Sequence, residues 1–297
     1  MAVTIPYVRK FDFAYGRSAV VSPGIRRVIA DNPGPFTFTG TGTYIVGHGE
    51  VAVIDPGPAL DAHLAALIQA VAGERVTAIL VTHDHADHSP LAARLSKLTG
   101  APVYGCARRS GAATPEGGEE GDDAAFAPDI DLCGGGAVEG PGWTLEAIPT
   151  PGHTSNHLCY GFAQENALFT GDHVMGWSTS VVIPPDGSMA AYLASLRDIR
   201  ARGFKTLWPT HGPAVTEAAP FLDAYIAHRL EREAQVLAAV QGGTDRIPAM
   251  VEKLYVGLDP RLKPAAAQSV YSHLIKLVAE GRVRSDGPPQ LASRYLP

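Results

Sequence analysis

The sequence is poor in cysteine and contains no long apolar run. Its three cysteines, Cys106, Cys133 and Cys159, form no CxxC pair and are odd in number. This pattern argues against a disulfide framework and favours a reducing compartment. Residues 1–18 hold no apolar stretch for a signal peptide, and no segment reaches the roughly 18 apolar residues of a membrane span. We therefore expect a soluble, cytoplasmic protein.

Charge is also sparse, at 18% of residues, and the formal net charge is −6. A negative balance argues against general affinity for nucleic acid. Residues 246–297 nevertheless hold eight Lys/Arg against four Asp/Glu, whereas the rest of the chain holds 16 against 26. A modestly basic C-terminal segment is thus attached to an acidic remainder.

Strand-like and helix-like patterns alternate along most of the chain, which predicts an α/β fold. Predicted strands cover 37–46, 51–55, 76–82, 143–148, 158–162, 167–170 and 206–208, and the fifth and sixth form a hairpin. Predicted helices cover 60–71, 89–98, 189–201 and 221–240. Ser89 is the expected N-cap of the second helix and Pro90 its first residue.

Two parts of the chain depart from this alternation. Residues 105–142 are acidic and rich in glycine, which predicts a variable surface excursion. Residues 247–255 and 264–279 are helix-like, and the segment after Gly281 is typical of a short β-wing. We expect a main domain over 1–243 and a small helical domain over 244–297.

The densest chemical signal is HDHADH, which packs three histidines and two aspartates into residues 83–88. In an extended segment, side chains two residues apart point to the same side, so His83 and His85 can reach one ion. Asp87 and His88 follow where the chain turns towards a helix, and they can reach a second ion. Imidazole and carboxylate suit zinc, iron or manganese, and the lack of thiolate argues against a structural cysteine site.

Three further candidate ligands each follow a predicted strand: His153 in TPGHT, Asp172 in FTGDH and His211 in PTHGP. Neighbouring glycine and proline fix the backbone of such loops. Ligands delivered by several strand ends to one sheet edge are typical of an α/β metalloenzyme. A lone histidine is most often structural, but seven candidates in one ordered set favour a metal centre.

The set resembles the metallo-β-lactamase-fold superfamily, since residues 83–88 match its HxHxDH signature and the three later candidates match its later metal motifs in order. The resemblance implies an αββα sandwich of two mixed sheets with helices outside. It also implies two zinc ions, with iron and manganese as alternatives. One ion would be bound by His83, His85 and His153, the other by Asp87, His88 and His211, and Asp172 would bridge both.

Within the superfamily, the chain resembles the beta-lactamase-like protein 2 family, whose members are endoribonucleases for single-stranded RNA. NPGPFTFTGTGTYIVG and YIAHRLEREAQVL carry this likeness, and SVYSHLIKLVAEGRV is similar to the family's winged-helix-like C-terminal unit. Two departures bear on substrate identity rather than on metal binding. The family usually has GTNTY where this chain has Gly42, and the 105–142 excursion is longer and more acidic here.

The resemblance implies hydrolysis by a hydroxide that bridges two metal ions. Asp87 is expected to orient that hydroxide and accept its proton. His157 and His173 are candidates to protonate the leaving group, and the alternative for each is a packed histidine bonded to the backbone. Asp55 is expected to fix the tautomer of a ligand histidine, with a turn-forming aspartate before Pro56 as the alternative.

Other functions stay open beside the single-stranded RNA phosphodiesterase. A small-ester or thioester hydrolase of the glyoxalase II type shares all seven ligands, but its glutathione-binding C-terminal region has no clear match here. A persulfide dioxygenase uses one iron and lacks second-site ligands. A non-catalytic nucleic-acid binder would use the basic tail, whose alternative is a solvated face or a dimer contact. The tail residues in question are Arg261, Lys263, Lys276, Arg282 and Arg284.

Antibiotic β-lactamase activity is disfavoured because those enzymes are exported and carry Cys or His where Asp172 stands. The expected partner is therefore RNA or a small ester or thioester, with no membrane contact. The motifs leave the oligomeric state open.

Overall fold

The computed structural model describes residues 3–108 and 121–297. Two β-sheets pack face to face. The first contains, side by side in chain order, β1 (Ala19–Ser22), β2 (Ile25–Ile29), β3 (Gly42–His48), β4 (Glu50–Ile54), β5 (Arg75–Leu80), β6 (Val103–Gly105) and β7 (Ile130–Asp131). The second contains, in the same manner, β8 (Gly136–Gly140), β9 (Trp143–Pro149), β10 (Leu158–Phe162), β11 (Ala167–Gly171) and β12 (Thr206–Pro209).

Both sheets are mixed. In the first, β1 to β4 are antiparallel and β4 to β7 are parallel. In the second, β8 to β11 are antiparallel and only β11 and β12 run parallel. Helices α1 (Asp61–Ala70) and α2 (Ala92–Thr99) cover the first sheet, and α3 (Met189–Arg202) and α4 (Ala218–Gln241) cover the second. The expected αββα sandwich is confirmed.

The alternation of side chains along β4 shows why such apolar segments become central strands. Ala52 and Ile54 point into the core between the sheets, together with residues of the second sheet. Val51 and Val53 point the other way and pack with residues of α1 and α2. Because both faces are covered, the strand is a continuous apolar run rather than a polar and apolar alternation.

The predicted start of the second helix is wrong. Helix α2 begins at Ala92, and Leu91 is its N-cap without a side-chain hydrogen bond. The Ser89 hydroxyl instead donates to Asp123 Oδ2 at 2.7 Å. The backbone N–H groups of His88 and Ser89 both donate to the His85 carbonyl, so residues up to Ser89 form a tight turn rather than a helix.

The predicted absence of a disulfide is also wrong. Cys106 and Cys133 are bonded, with their Cα atoms 4.6 Å apart, and only Cys159 is a free thiol. The cysteines follow β6 and β7, which are neighbouring parallel strands, so residues 27 apart in sequence meet side by side. Spacing in the sequence could not show this disulfide because it depends on the pairing of β6 with β7 in the folded sheet.

The C-terminal segment contains α5 (Ile247–Leu254), α6 (Lys263–Ala279) and a two-stranded wing of β13 (Arg284–Ser285) and β14 (Tyr295–Leu296). The predicted helices and wing are confirmed. The last turns of α4 contribute Val236 and Val240 to the same core as Val270 and Leu274 of α6. We propose the domain boundary at 243/244, with α4 anchoring the two domains to each other.

Within the two described ranges, no helix combines the length and the apolar character needed to cross a lipid bilayer.

Candidate metal centre

All seven candidate ligands lie at one edge of the sandwich, where several strands end. The chain carries residues 83–88 just after β5, His153 after β9, Asp172 after β11 and His211 after β12. Each of the seven side chains is at most 5% exposed. We call these residues the metal-binding cluster: His83, His85, Asp87, His88, His153, Asp172 and His211.

Three histidines of the cluster bring ring nitrogens together. His83 Nε2 lies 2.9 Å from His85 Nδ1, and His153 Nε2 lies 3.3 Å from each of these atoms. Tetrahedral ligands about 2.0–2.1 Å from one zinc ion would be separated by about 3.3 Å. The three nitrogens therefore have the spacing of ligands to a single ion.

Hydrogen bonds on the far side of two of these rings fix their tautomers. His153 Nδ1 donates to the Val181 carbonyl at 2.7 Å, which leaves a lone pair on Nε2. The Thr82 hydroxyl donates to Asp55 Oδ2 at 2.9 Å and so accepts from His83 Nδ1 at 3.0 Å. Both histidines thus present an unprotonated nitrogen to the shared position, as metal binding requires.

The other members form a second group beside the first. Asp87 Oδ2 lies 3.3 Å from His88 Nε2 and 3.1 Å from His211 Nε2. Asp172 Oδ1 lies 3.6 Å and 3.3 Å from the same two nitrogens. One ligand atom each of Asp172, His83 and His88 also lie within 4.8 Å of one another, so Asp172 stands between the two groups of ligands.

Asp55 supports the second group from behind. Its carboxylate accepts from the Thr82 backbone N–H at 2.8 Å, from the Thr82 and Thr210 hydroxyls at 2.9 Å each, and from His88 Nδ1 at 2.9 Å. The last bond leaves His88 Nε2 free to face Asp87 and Asp172. This geometry favours the expected tautomer-fixing role of Asp55 over a purely turn-forming one.

The electrostatics of the two groups differ. Burial would lower the pKa of His211, but the carboxylates of Asp172 and Asp87 raise it to about 10. Burial and the neighbouring histidines lower the pKa of His83 well below its usual value, and burial lowers that of His85 to about 3. The second group thus attracts positive charge, whereas His83 and His85 of the first present neutral nitrogens. Both properties fit divalent cations.

His157 and His173 are buried close to the cluster but do not point into it. His157 Nε2 accepts from the Asp172 backbone N–H at 3.3 Å, and its Nδ1 therefore donates to Thr150 Oγ1 at 2.8 Å. The His173 ring packs against Tyr192 with centroids 4.7 Å apart. Burial lowers the pKa of His157, and burial lowers that of His173 to about 3. The geometry favours the alternative of a packed histidine bonded to the backbone for His157. The His173 ring is packed, but neither of its nitrogens has a hydrogen-bond partner among the described residues, so its proton-donor role stays a prediction.

Three contributors to the site were not predicted. The Thr41 hydroxyl donates to Asp87 Oδ2 at 3.1 Å. Asp122 Oδ1 lies 3.8 Å from His85 Nε2, and Arg108 binds both Asp122 and Asp84 at 2.7 Å. Thr41 stands in the GTGTY motif, but Asp122 belongs to the acidic excursion, where composition gave no sign of a site contact. Residues 109–120 of that excursion lie outside the described ranges.

Gly42, where the resembling family usually has asparagine, lies in a close contact with its neighbours. A Cβ atom at this position would lie 3.0 Å from both Arg27 Cδ and the Thr210 carbonyl oxygen. The Gly42 backbone N–H donates to the same carbonyl at 2.8 Å. In this chain the glycine lets β3 approach the loop that carries His211, and a larger residue needs that loop to shift.

Comparisons with known proteins agree with this geometry. Residues 37–211 match the model of the metallo-beta-lactamase superfamily, and residues 247–288 match that of the beta-lactamase associated winged helix domain. An atrochrysone carboxyl ACP thioesterase from Aspergillus chevalieri is 32% identical, over 74% of this chain and 67% of its own length. A beta-lactamase-like protein 2 homolog from Caenorhabditis elegans is 29% identical, over 89% of this chain and 88% of its own.

Solved structures show the same fold. A beta-lactamase domain protein from Burkholderia ambifaria has a TM-score of 0.77 at 20% identity and covers 98% of this chain and 97% of its own. A metallo-beta-lactamase family protein from Thermus thermophilus has a TM-score of 0.72 at 24% identity, over 93% and 99%. The chain belongs to the metallo-beta-lactamase superfamily, as a metal-dependent hydrolase that carries a beta-lactamase-associated winged helix domain.

Proposed function

We propose that the chain is a dinuclear hydrolase that cleaves acyl thioesters. His83, His85 and His153 would hold one ion, Asp87, His88 and His211 would hold the other, and Asp172 would be available to both. Zinc is the proposed metal, with iron and manganese as alternatives. Ions bound by these residues would supply a hydroxide nucleophile near neutral pH and would polarise the substrate carbonyl.

The residues around the ions position the reacting groups. Asp87 is proposed to orient the nucleophile and accept its proton, and Thr41 holds the Asp87 carboxylate through its hydroxyl. His157 fixes the backbone of Asp172 by accepting from its N–H. A thioester suits this site because a thiol has a pKa near 8.5, so a thiolate leaves without a strong proton donor. His157 and His173 pack away from the cluster, but thioester cleavage does not need either of them as a proton donor.

Most cations of the basic C-terminal segment form ion pairs with carboxylates of the chain itself. This observation favours a thioester over RNA as the substrate. Lys276 and Arg282 both bind Glu233, at 2.9 and 3.2 Å, and both also bind Glu280. Arg261 is paired with Asp259, and Lys263 with Glu252. Arg284 instead donates to the Pro297 carbonyl. Four of the five tail cations are thus neutralised by the chain's own carboxylates and release few counterions on binding phosphate, which weakens the predicted RNA contact.

Two aromatic rings lie beside the loop that carries His211. The rings of Phe38 and Trp177 are stacked with centroids 4.6 Å apart. Trp177 packs over Gly212, the residue after His211, where an added Cβ would lie 2.9 Å from its ring. These rings offer an apolar surface next to the metal-binding cluster. The relatives named as ACP thioesterases support a thioester as the substrate class.

A single-stranded RNA phosphodiesterase is the second candidate. A two-metal site serves a phosphodiester as well as a thioester. The likeness to a beta-lactamase-like protein 2 homolog over most of both chains favours it. We also retain a cytoplasmic location as a proposal, although the Cys106–Cys133 disulfide withdraws the support that cysteine spacing gave it.

Parallel assays separate the two candidates. The metal-loaded protein is offered an aryl thioester, S-lactoylglutathione and a fluorescent single-stranded RNA, with Asp87→Ala as the matched inactive variant. We expect aryl thioester cleavage that is lost in Asp87→Ala. Cleavage of RNA alone would replace the thioester proposal with the phosphodiesterase, and activity retained by Asp87→Ala would reject the proposed role of this residue.

A further inference from the structure

A cavity of about 390 Å³ lies between the sandwich and the C-terminal domain. We call it the interdomain cavity. Its walls come from Tyr7, residues 35–36, the segment 178–182, the middle of α4, the loop after α5 and the start of α6. Its main apolar lining residues are Phe36, Val182, Tyr255, Leu258, Leu262 and Ala266. A volume of this size falls in the range of small-molecule sites, roughly 300–1,000 Å³.

The segment that contains Val181 lies between this cavity and the metal-binding cluster. Val181 lines the interdomain cavity and also a small chamber of about 20 Å³ that His85 and His153 line. The Val181 carbonyl accepts the hydrogen bond from His153 Nδ1 at 2.7 Å. The wall of the cavity is therefore also the support of a ligand histidine. A molecule in the cavity would therefore be separated from the cluster by little more than the backbone at Val181.

The polar lining of the cavity is cationic. Among its described lining residues are Arg229 and Arg232 and no carboxylate. Arg229 is only 4% exposed, and its guanidinium donates through Nη2 to the Ser180 carbonyl. Because no carboxylate of the described lining balances the two guanidinium groups, the cavity is suited to a ligand that carries an anionic or other acceptor oxygen.

Arg232 closes the other side of the cavity. Its guanidinium lies over the Tyr255 ring, 4.2 Å from the centroid, and donates to the Leu254 carbonyl at 3.2 Å. Both contacts hold the cation at the junction of α4 with the loop after α5. An aromatic or branched body between Phe36 and Leu258, with an anionic oxygen near the two arginines, matches the chemistry of this lining.

We propose that the interdomain cavity binds the acyl part of the substrate, as an apolar aromatic group that carries an acidic or other acceptor oxygen. The proposal rests on the proposed thioester hydrolysis for the reaction that follows binding. It assigns the C-terminal domain a place in substrate selection, since Tyr255, Leu258 and Ser269 belong to that domain. Simple acetyl thioesters would reach the cluster without using the cavity.

The test measures binding of 2-naphthoate to the full-length chain by calorimetry, with and without bound metal. Leu258→Trp fills the cavity from the loop after α5, and Ser269→Phe fills it from α6. Val256→Trp is the matched control, because Val256 is 89% exposed and two residues from Leu258. Thermal unfolding of each variant shows that it is folded.

We expect naphthoate to bind the wild type and Val256→Trp alike, in both metal states, and to bind the two filling variants at least about tenfold more weakly. The same two variants should raise KM for a naphthoyl thioester and leave an acetyl thioester unaffected. Absence of naphthoate binding, or binding by both filling variants as tight as that of the wild type, overturns the inference. Cavity-dependent binding without any thioester cleavage would reject the proposed function and leave the acid-binding site standing.

Discussion

Thr41 acts on the metal-binding cluster from the loop that precedes β3. Its hydroxyl donates to Asp87 Oδ2 at 3.1 Å, and its backbone N–H is held by Asn32 Oδ1 at 2.9 Å. Residues that orient metal-binding side chains typically contribute about 10–100-fold to metal affinity or activity. The sequence could not reveal this contact, because Thr41 and Asp87 are far apart along the chain and no local motif joins them.

Thr41→Val removes that hydroxyl with little change of shape. We expect kcat for the thioester to fall about tenfold or more, since the Asp87 carboxylate loses its fixed orientation. Thr39→Val is the control, because the Thr39 hydroxyl is buried without a hydrogen-bond partner among the described residues. Equal kcat values for the two variants would show that Thr41 does not position Asp87.

Metal binding should release protons. Before metal binds, the carboxylates of Asp172 and Asp87 raise the pKa of His211 to about 10, and Asp87 and Asp172 raise that of His88 well above its usual value, although burial opposes both shifts. These shifts favour the protonated form of both histidines, and each must lose a proton to bind an ion. Affinity should therefore increase as the pH rises towards about 10 and decrease as it falls.

Calorimetric titration with zinc at pH 8, in two buffers of different ionisation enthalpy, measures this release. The heats should differ by an amount that corresponds to proton transfer from the protein to the buffer. Identical heats in both buffers would mean that His88 and His211 are already neutral, contrary to the described electrostatics.

At the scale of elements, the sequence predicted strands best where an apolar run is buried on both faces. The segments that became β4, β5, β10 and β11 are of this kind. Five strands were missed. β1 is partly exposed, β2 carries two arginines, β6 and β7 are only three and two residues long, and β8 begins and ends with glycine. Their strand form comes from pairing with neighbours, which local pattern does not record.

The Cys106–Cys133 bond joins the ends of two such neighbouring strands. A bond that closes a loop of 27 residues is expected to contribute about 3 kcal/mol to the free energy of unfolding. Thiol titration of the denatured protein should find one thiol before reduction and three after it. Reduction should also lower the midpoint of urea unfolding, and the variant with both residues changed to serine should not respond. Three thiols before reduction would contradict the disulfide.

At the scale of the whole molecule, α4 unites the two domains. Its first half packs on the second sheet through Phe221 and Tyr225, and its last turns belong to the C-terminal core. Glu233 lies between these parts and binds Lys276 and Arg282 of the C-terminal domain. The sequence predicted the helix and the separate tail, but the ion pairs between them depend on the tertiary arrangement.

Replacing Glu233 tests that connection. Glu233→Gln removes a buried carboxylate that pairs with two cations, and we expect a loss of about 2 kcal/mol in the free energy of unfolding. Glu252→Gln, which removes an exposed partner of Lys263, should cost less than about 1 kcal/mol. Denaturant unfolding of both variants gives the comparison, and equal losses would show that Glu233 does not hold the domains together.

The metal content of the purified protein tests the central claim most directly. Elemental analysis should find two metal ions per chain in the wild type. His211→Ala removes a ligand of the second group only, so it should retain about one ion, held by His83, His85 and His153. One ion per chain in the wild type, or two in His211→Ala, would contradict a dinuclear centre built from these seven residues.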